Sequence, residues 1–171
     1  CKMHIGIIGL GDMGKLYATT FANAGFEVSG TDLKERIAEL QTELASYNNI
    51  EVLADGHEGS RKANFIIYCV EAEKIEEVVA QFAKSTRYGA IVAGQTSVKY
   101  PEIAAFEKHL PPDTHIITCH SLHGPAFSPI GQTLVVIRHR ASDEMYEKAI
   151  KVYQTFQSTI IEMDDYKEHD K

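Results

Sequence analysis

Three features are missing from this sequence of 171 residues: any basic cluster, any long apolar run and any paired cysteines. Lys and Arg number 17 against 24 Asp and Glu, for a net charge of −7, which argues against a nucleic-acid-binding surface. No apolar stretch approaches the ~20 residues that cross a bilayer, and no signal-peptide pattern opens the chain. Cys1, Cys69 and Cys119 stand far apart, the last two inside apolar strand-like runs, so they read as reduced, buried thiols of a cytoplasmic protein. Nothing repeats at a fixed period and nothing is of low complexity. The length suits one domain with a full core and is short for two. The start at Cys1 and the charged end "DDYKEHDK" read as a domain cut from a longer protein.

What is present is a regular alternation. "MHIGIIG", "FEVSGTD", "NFIIYCV", "AIVAG" and "HIITCH" are short apolar runs of strand length, joined by a weaker one at Ile50 to Leu53. Between them lie helical patterns: Gly11 to Ala24 with Gly25 as its stop, "LKERIAELQTELASY", a short turn or helix at Asp55 to Lys62, "EAEKIEEVVAQFAKS" with an acidic first turn, and "YPEIAAFEKHL" with Pro101 near its start. "QTLVVIRH", a helix from about Ser142 to Gln157, and "STIIEM" complete the chain. Alternating strands and helices predict an α/β, doubly wound, mainly parallel (Rossmann-like) sheet with helices on both faces.

"GLGDMG" puts Gly9, Gly11 and Gly14 directly after the first strand, where a helix begins. Gly9 permits the tight turn, Gly11 lets the backbone approach a pyrophosphate, and Gly14 lets helix and strand pack closely. The context favours dinucleotide binding over a glycine turn needed only for packing. Asp32 closes the second strand, where an acidic side chain usually grips the ribose 2′-OH of NAD. Lys34 and Arg36 follow at once, and such residues hold the 2′-phosphate of NADP or merely begin a solvated helix. From the residues alone the balance leans slightly to NAD.

In an open parallel sheet, ligands bind beyond the carboxyl ends of the strands. His120 ends "HIITCH" and Ser97 lies in the loop leaving "AIVAG", so both belong at the cofactor's edge. A histidine there could accept a proton from a substrate hydroxyl while the nicotinamide accepts hydride, with a serine holding the ring's tautomer. Two other readings stand beside it: a polar strand end, and a metal site. The metal reading is disfavoured because alternation along the strand keeps His115, Cys119 and His120 from converging, and the paired-ligand spacings of zinc sites are absent. We expect no metal.

"IGIIGLGDMG", "IIYCVEA", "GQTSVK…PEIAAFEKHLP" and "IITCHSLHGP" together resemble the prephenate dehydrogenase family, most closely its fungal, NADP-dependent branch, over essentially the whole chain. The resemblance implies oxidative decarboxylation of prephenate to 4-hydroxyphenylpyruvate in tyrosine biosynthesis. It assigns His120 and Ser97 as the catalytic pair and implies NADP, with Asp32 turned aside and Lys34, Arg36 or Thr31 meeting the 2′-phosphate. The cofactor-binding set is then Gly9, Leu10, Gly11, Asp12, Met13, Gly14, Asp32, Lys34, Arg36 and Val70; Gln95, Thr96 and His123 are substrate-side candidates. Departures exist: Gly94 stands where many members have Asp, and Ser121, Leu122 and His123 replace commoner residues. Residues 1–163 form the dinucleotide-binding domain, and 164–171 resemble the start of a C-terminal helical domain that binds substrate carboxylates and makes the homodimer. The rivals are a β-hydroxyacid dehydrogenase, whose opening looks much the same, and a non-catalytic nucleotide-sensing domain. A Ser97–His120 hydrogen bond is the feature that would separate the dehydrogenase from the sensor.

Overall fold

The computed structural model describes residues 3–171; Cys1, and with it the start assigned to the domain, lies outside the described residues. The strands are β1 (His4–Ile8), β2 (Glu27–Thr31), β3 (Ile50–Val52), β4 (Phe65–Tyr68), β5 (Ile91–Gly94), β6 (His115–Ser121), β7 (Thr133–Arg140) and β8 (Thr159–Met163). The helices are α1 (Asp12–Asn23), α2 (Ile37–Glu43), α3 (Gly56–Lys62), α4 (Ile75–Phe82), α5 (Tyr100–His109), α6 (Asp143–Gln154) and α7 (Tyr166–His169). Among the described residues the strands make one sheet in the order β3-β2-β1-β4-β5-β6-β7-β8. The first six reproduce the doubly wound order, with every neighbouring pair parallel.

The core follows the two-residue period of the strands. Phe65, Ile67, Ile91 and Ala93 face α1, α2 and α6, packing against Tyr17, Phe21, Leu40 and Tyr153. Ile66, Tyr68 and Val92 face the other way, against Ile75 and Val79 of α4 and Ile103 and Phe106 of α5. Both faces are therefore covered, which is why these strands read as continuous apolar runs.

Three details differ from expectation. The helix expected over "LKERIAELQTELASY" opens as a 3-10 turn at Lys34–Arg36, where the Asp32 carboxylate accepts from the Leu33 N–H (2.6 Å), and it ends at Glu43. α4 starts only at Ile75, after a turn closed by Lys74 N–H to the Glu71 carbonyl (2.9 Å). β7 runs antiparallel to β6, while β8 is parallel to β7. No helix separates β6 from β7, and a parallel crossover requires one or an equally long connection. No helix among the described residues is long and apolar enough to cross a membrane.

Candidate active site

The loop between β1 and α1 is shaped by what a side chain would strike. Gly9 has φ of +99°, and a Cβ there would stand 2.5 Å from the Cys69 carbonyl oxygen. A Cβ at Gly14 would collide with the Gly9 carbonyl, so helix and strand approach as closely as glycine allows. Gly11 is different: no atom lies within 4 Å of where its Cβ would be. That open space faces the uncapped N-terminus of α1, whose first N–H groups are left for an anion. The loop thus fits a pyrophosphate. A groove of about 690 Å³ runs from Gly9 and Gly11 past Asp32, Lys34 and Arg36, with Val70 on its wall.

Within the loop, Leu10 is fully buried and offers only its backbone, Asp12 is exposed, and Met13 is half-buried against the core. Asp32 faces the loop: Oδ2 accepts from the Leu10 N–H (2.6 Å) and from Arg36 Nη1 (2.9 Å). Arg36 also donates to the Leu10 carbonyl (3.2 Å) and pairs with Glu39. The acidic side chain is therefore bound to its own loop and to Arg36. Thr31, expected as one possible phosphate contact, is buried and donates its hydroxyl to the Leu53 carbonyl (2.8 Å). Lys34 lines the groove with no ion pair among the described residues.

At the far end of the groove's edge, β5 and β6 pair only at Ile91–His115 and Val92–Ile116. Beyond that point side chains replace the ladder. The Gly94 N–H donates to Thr118 Oγ1 (2.8 Å), and Thr118 Oγ1 lies 2.5 Å from Glu102 Oε2. Lys99 is fully buried and pairs with the equally buried Glu102 (3.1 Å); its ammonium also donates to the carbonyls of Cys119 (2.5 Å) and Gly94 (3.2 Å). A buried ion pair survives only where every donor and acceptor is met in this way. Thr96, a substrate-side candidate, is absorbed by the same network: its hydroxyl donates to Glu102 Oε1 (2.9 Å), and it is buried. Gln95 is half-buried, its N–H bound to the Tyr68 carbonyl (3.3 Å).

The strand's alternation decides what "TCHSLHGP" does. Cys119 and Ser121 face α1, where the Tyr17 hydroxyl lies 2.5 Å from Ser121 Oγ. Thr118 and His120 face the opposite way. His120 is half-buried, and burial first, then the Lys99 ammonium and His169, pushes its pKa down to about 4. It is neutral at physiological pH, as a proton acceptor must be. Its Nδ1 lies 3.0 Å from Nε2 of His169. Ser97 is exposed in the bend before α5 and makes no hydrogen bond to His120 among the described residues. The structure brings His120 and Ser97 to one edge of the sheet but does not join them. Burial drives the Cys119 thiol up to about 11, so it is inert. His115 sits at the other end of the strand, near Ser142. His123 bends back on itself, Nδ1–H donating to the Gly124 carbonyl (2.9 Å) and Nε2 left without a partner.

Lys99, Glu102, Thr118, His169 and Asp170 were not foreseen. A Lys and a Glu three apart at a helix start read as a surface pair, and only tertiary packing buries them. His169 lies in the final "EHDK", which its composition marks as a solvated end.

Residues 4–115 match the family described as the NAD binding domain of 6-phosphogluconate dehydrogenase. The chain is 48% identical over 170 residues to the probable prephenate dehydrogenase [NADP(+)] of Schizosaccharomyces pombe, covering 98% of this chain and 38% of that protein. It is 48% identical over 168 residues to the prephenate dehydrogenase [NADP(+)] of Saccharomyces cerevisiae, covering 98% of this chain and 37% of that one. The chain thus spans under two fifths of the length of these relatives. The crystal structure of prephenate dehydrogenase from Aquifex aeolicus superposes with a TM-score of 0.78 at 18% identity, covering 97% of this chain and 63% of that one, a likeness of fold. The chain belongs to the family of the NAD binding domain of 6-phosphogluconate dehydrogenase, and the resemblance to fungal NADP-dependent prephenate dehydrogenases holds over nearly its whole length.

Proposed function

We propose that this chain is the dinucleotide-binding part of an NADP-dependent prephenate dehydrogenase. The observation that carries the reading is a neutral histidine, His120, at the carboxyl end of β6, on the same sheet edge as the open glycine loop. The missing Ser97–His120 hydrogen bond gives no support against a nucleotide-sensing domain. The position and neutrality of His120 do, because a sensor needs neither.

In this reading the glycine loop, Lys34 and Arg36 along the groove would hold NADP, which when bound would supply the hydride acceptor. His120 takes the proton of prephenate's ring hydroxyl as hydride leaves the same carbon. Loss of carbon dioxide from the opposite ring carbon returns its electron pair to the ring, and the phenolate oxygen recovers the proton from His120. The balance is one NADPH, one carbon dioxide and 4-hydroxyphenylpyruvate, with no net proton. Lys34, which has no ion pair among the described residues, and Arg36 would meet the 2′-phosphate, while Asp32 stays bound to the loop and Arg36. Gln95 and His123 stand at the substrate side, and Ser97 is a further polar group at its mouth. The relatives are more than twice as long as this chain, and a further helical portion would bind the substrate's carboxylates and make a homodimer; the free thiols of Cys69 and Cys119 support a cytoplasmic location.

The test is a fusion of this chain to the part of the Saccharomyces cerevisiae relative that it does not match. Prephenate-dependent NADPH formation is expected from the fusion and negligible turnover from the chain alone. A folded, NADP-binding fusion that leaves prephenate untouched overturns the proposal.

A further inference from the structure

The hydrogen-bond chain behind His120 ends on a carboxylate. His169 Nε2 lies 3.0 Å from His120 Nδ1, and His169 Nδ1 lies 3.0 Å from Asp170 Oδ1. The His169 side chain is only 7% exposed. Asp170 is in turn fixed by the start of α5: Oδ1 accepts from the Lys99 N–H (2.8 Å) and Oδ2 from the Tyr100 N–H (3.0 Å). The last turn of the described chain therefore folds back onto the strand end that carries His120.

We propose that His169 and Asp170 are the positioning residues that set the tautomer of His120, presenting its Nε2 as the proton acceptor. The inference rests on the dehydrogenase reading above only for what Nε2 accepts. The logic is one of donors and acceptors. Burial opposes ionisation of Asp170, but the Lys99 N–H, the His169 ring and the Tyr100 N–H outweigh it and hold its carboxyl below the ordinary range. As a carboxylate it only accepts, so His169 must place its proton on Nδ1. A neutral His169 then has a lone pair on Nε2, and the ring nitrogen facing it, His120 Nδ1, must carry the hydrogen. That leaves His120 Nε2 unprotonated. The buried Lys99 ammonium disfavours a positive charge on the His120 ring at rest. When Nε2 takes the substrate's proton, the new charge is met through His169 by the Asp170 carboxylate. One O–H bond breaks, one N–H bond forms, and both are reversed when the phenolate recovers the proton.

The arrangement also accounts for the lack of a Ser97–His120 hydrogen bond among the described residues. The role of orienting the histidine is filled from the chain's far end.

Nitrogen NMR of the imidazoles reads this directly, because protonated and bare ring nitrogens resonate far apart. In this chain at neutral pH, His120 is expected chiefly as the Nδ1–H tautomer, the reverse of free histidine, and His169 also as Nδ1–H. His169→Phe removes the acceptor and should return His120 to a predominance of Nε2–H; His169→Gln, which offers an amide oxygen, should restore much of the Nδ1–H form. Asp170→Ala should release His169 from its single tautomer and weaken the preference of His120. Amide spectra of each variant show whether β6 and α5 keep their fold. A wild-type His120 carrying its hydrogen on Nε2, or a tautomer unchanged in a folded His169→Phe, overturns the inference. Neither result bears on whether the fusion described above consumes prephenate, so the two proposals fail separately.

Discussion

The Glu102 carboxylate occupies the space that any side chain at residue 94 would need: a Cβ on Gly94 would overlap its Oε1. The acidic group that Gly94 lacks, relative to many members of the resembling family, is thus supplied to the same spot from α5, three residues after its partner Lys99. A carboxylate must be there because Lys99 is fully buried and would otherwise be an unpaired charge.

From this follows a relocation experiment. Glu102→Ala should cost about 3–5 kcal/mol, the usual loss when one partner of a buried ion pair is removed. Gly94→Asp alone should also destabilise strongly, by collision and by crowding two carboxylates. The double variant Gly94→Asp/Glu102→Ala should recover at least half of the loss. Urea titrations of the four proteins measure it; additive losses in the double variant would show that the two positions do not share one site.

The second and third glycines of the loop should behave oppositely. A Cβ at Gly11 meets no atom within 4 Å and the backbone there is extended, so in Gly11→Val unfolding stability should stay within ~0.5 kcal/mol of wild type while NADP affinity falls at least ~10-fold. Gly14→Ala drives a methyl into the Gly9 carbonyl and should destabilise the protein by ~1–3 kcal/mol before any cofactor is added. Calorimetric titration beside thermal unfolding separates the effects.

Cofactor choice should rest on Lys34. Lys34→Ala should weaken NADP by roughly 10-fold, the scale of one charge-assisted hydrogen bond, and leave NAD almost unchanged. Asp32→Asn should weaken both cofactors, because Asp32 holds the Leu10 N–H and thus the loop itself. Equal loss of NAD and NADP in Lys34→Ala would move the 2′-phosphate contact elsewhere, with Arg36 the next candidate.

Acid should act through His120. Its folded pKa is depressed, from 6.5 to about 4, so the stabilisation is complete above pH 6.5. As pH falls from there toward 4, the unfolded chain takes a proton that the folded one refuses, and stability drops. Because the ring is only half-buried, the loss should be on the order of 1–2 kcal/mol after screening. His4 and His115, also lowered by burial, add to the same trend, so the informative quantity is wild type minus His120→Asn. A difference that does not change between pH 7 and pH 4 would mean that His120 titrates normally.

Most of the fold was legible because strands buried on both faces and helices with one apolar stripe leave opposite periodicities in the sequence. The glycine loop was legible for a local reason too: the positive φ of Gly9 and the close approach of Gly14 to the Gly9 carbonyl arise within a single strand–turn–helix unit. The direction of β7 could also have been read, since nothing helical separates "HIITCH" from "QTLVVIRH". The place of His120 near a strand end was legible in the sequence. Its partner was not, because the choice between Ser97 and His169 depends on how the last turn packs against α5, a contact between segments with no shared local pattern. The burial of Lys99 and Glu102 was hidden likewise, since charge alone marks a residue as exposed.

The strand order has a consequence for how the chain reaches this state. β1 must be flanked on one side by β2 and on the other by β4, so the chain has to return across its own start before the centre of the sheet exists. From β4 onward every strand is laid beside its predecessor, through β5, β6, β7 and finally β8. Closing the β1–β4 contact is the long-loop step that loses the most chain entropy, and each later addition closes a shorter loop on an edge already formed. Folding should therefore be limited by one early event at the centre of the sheet. Growth then proceeds outward in the order of synthesis, and the His120–His169 contact is among the last to form.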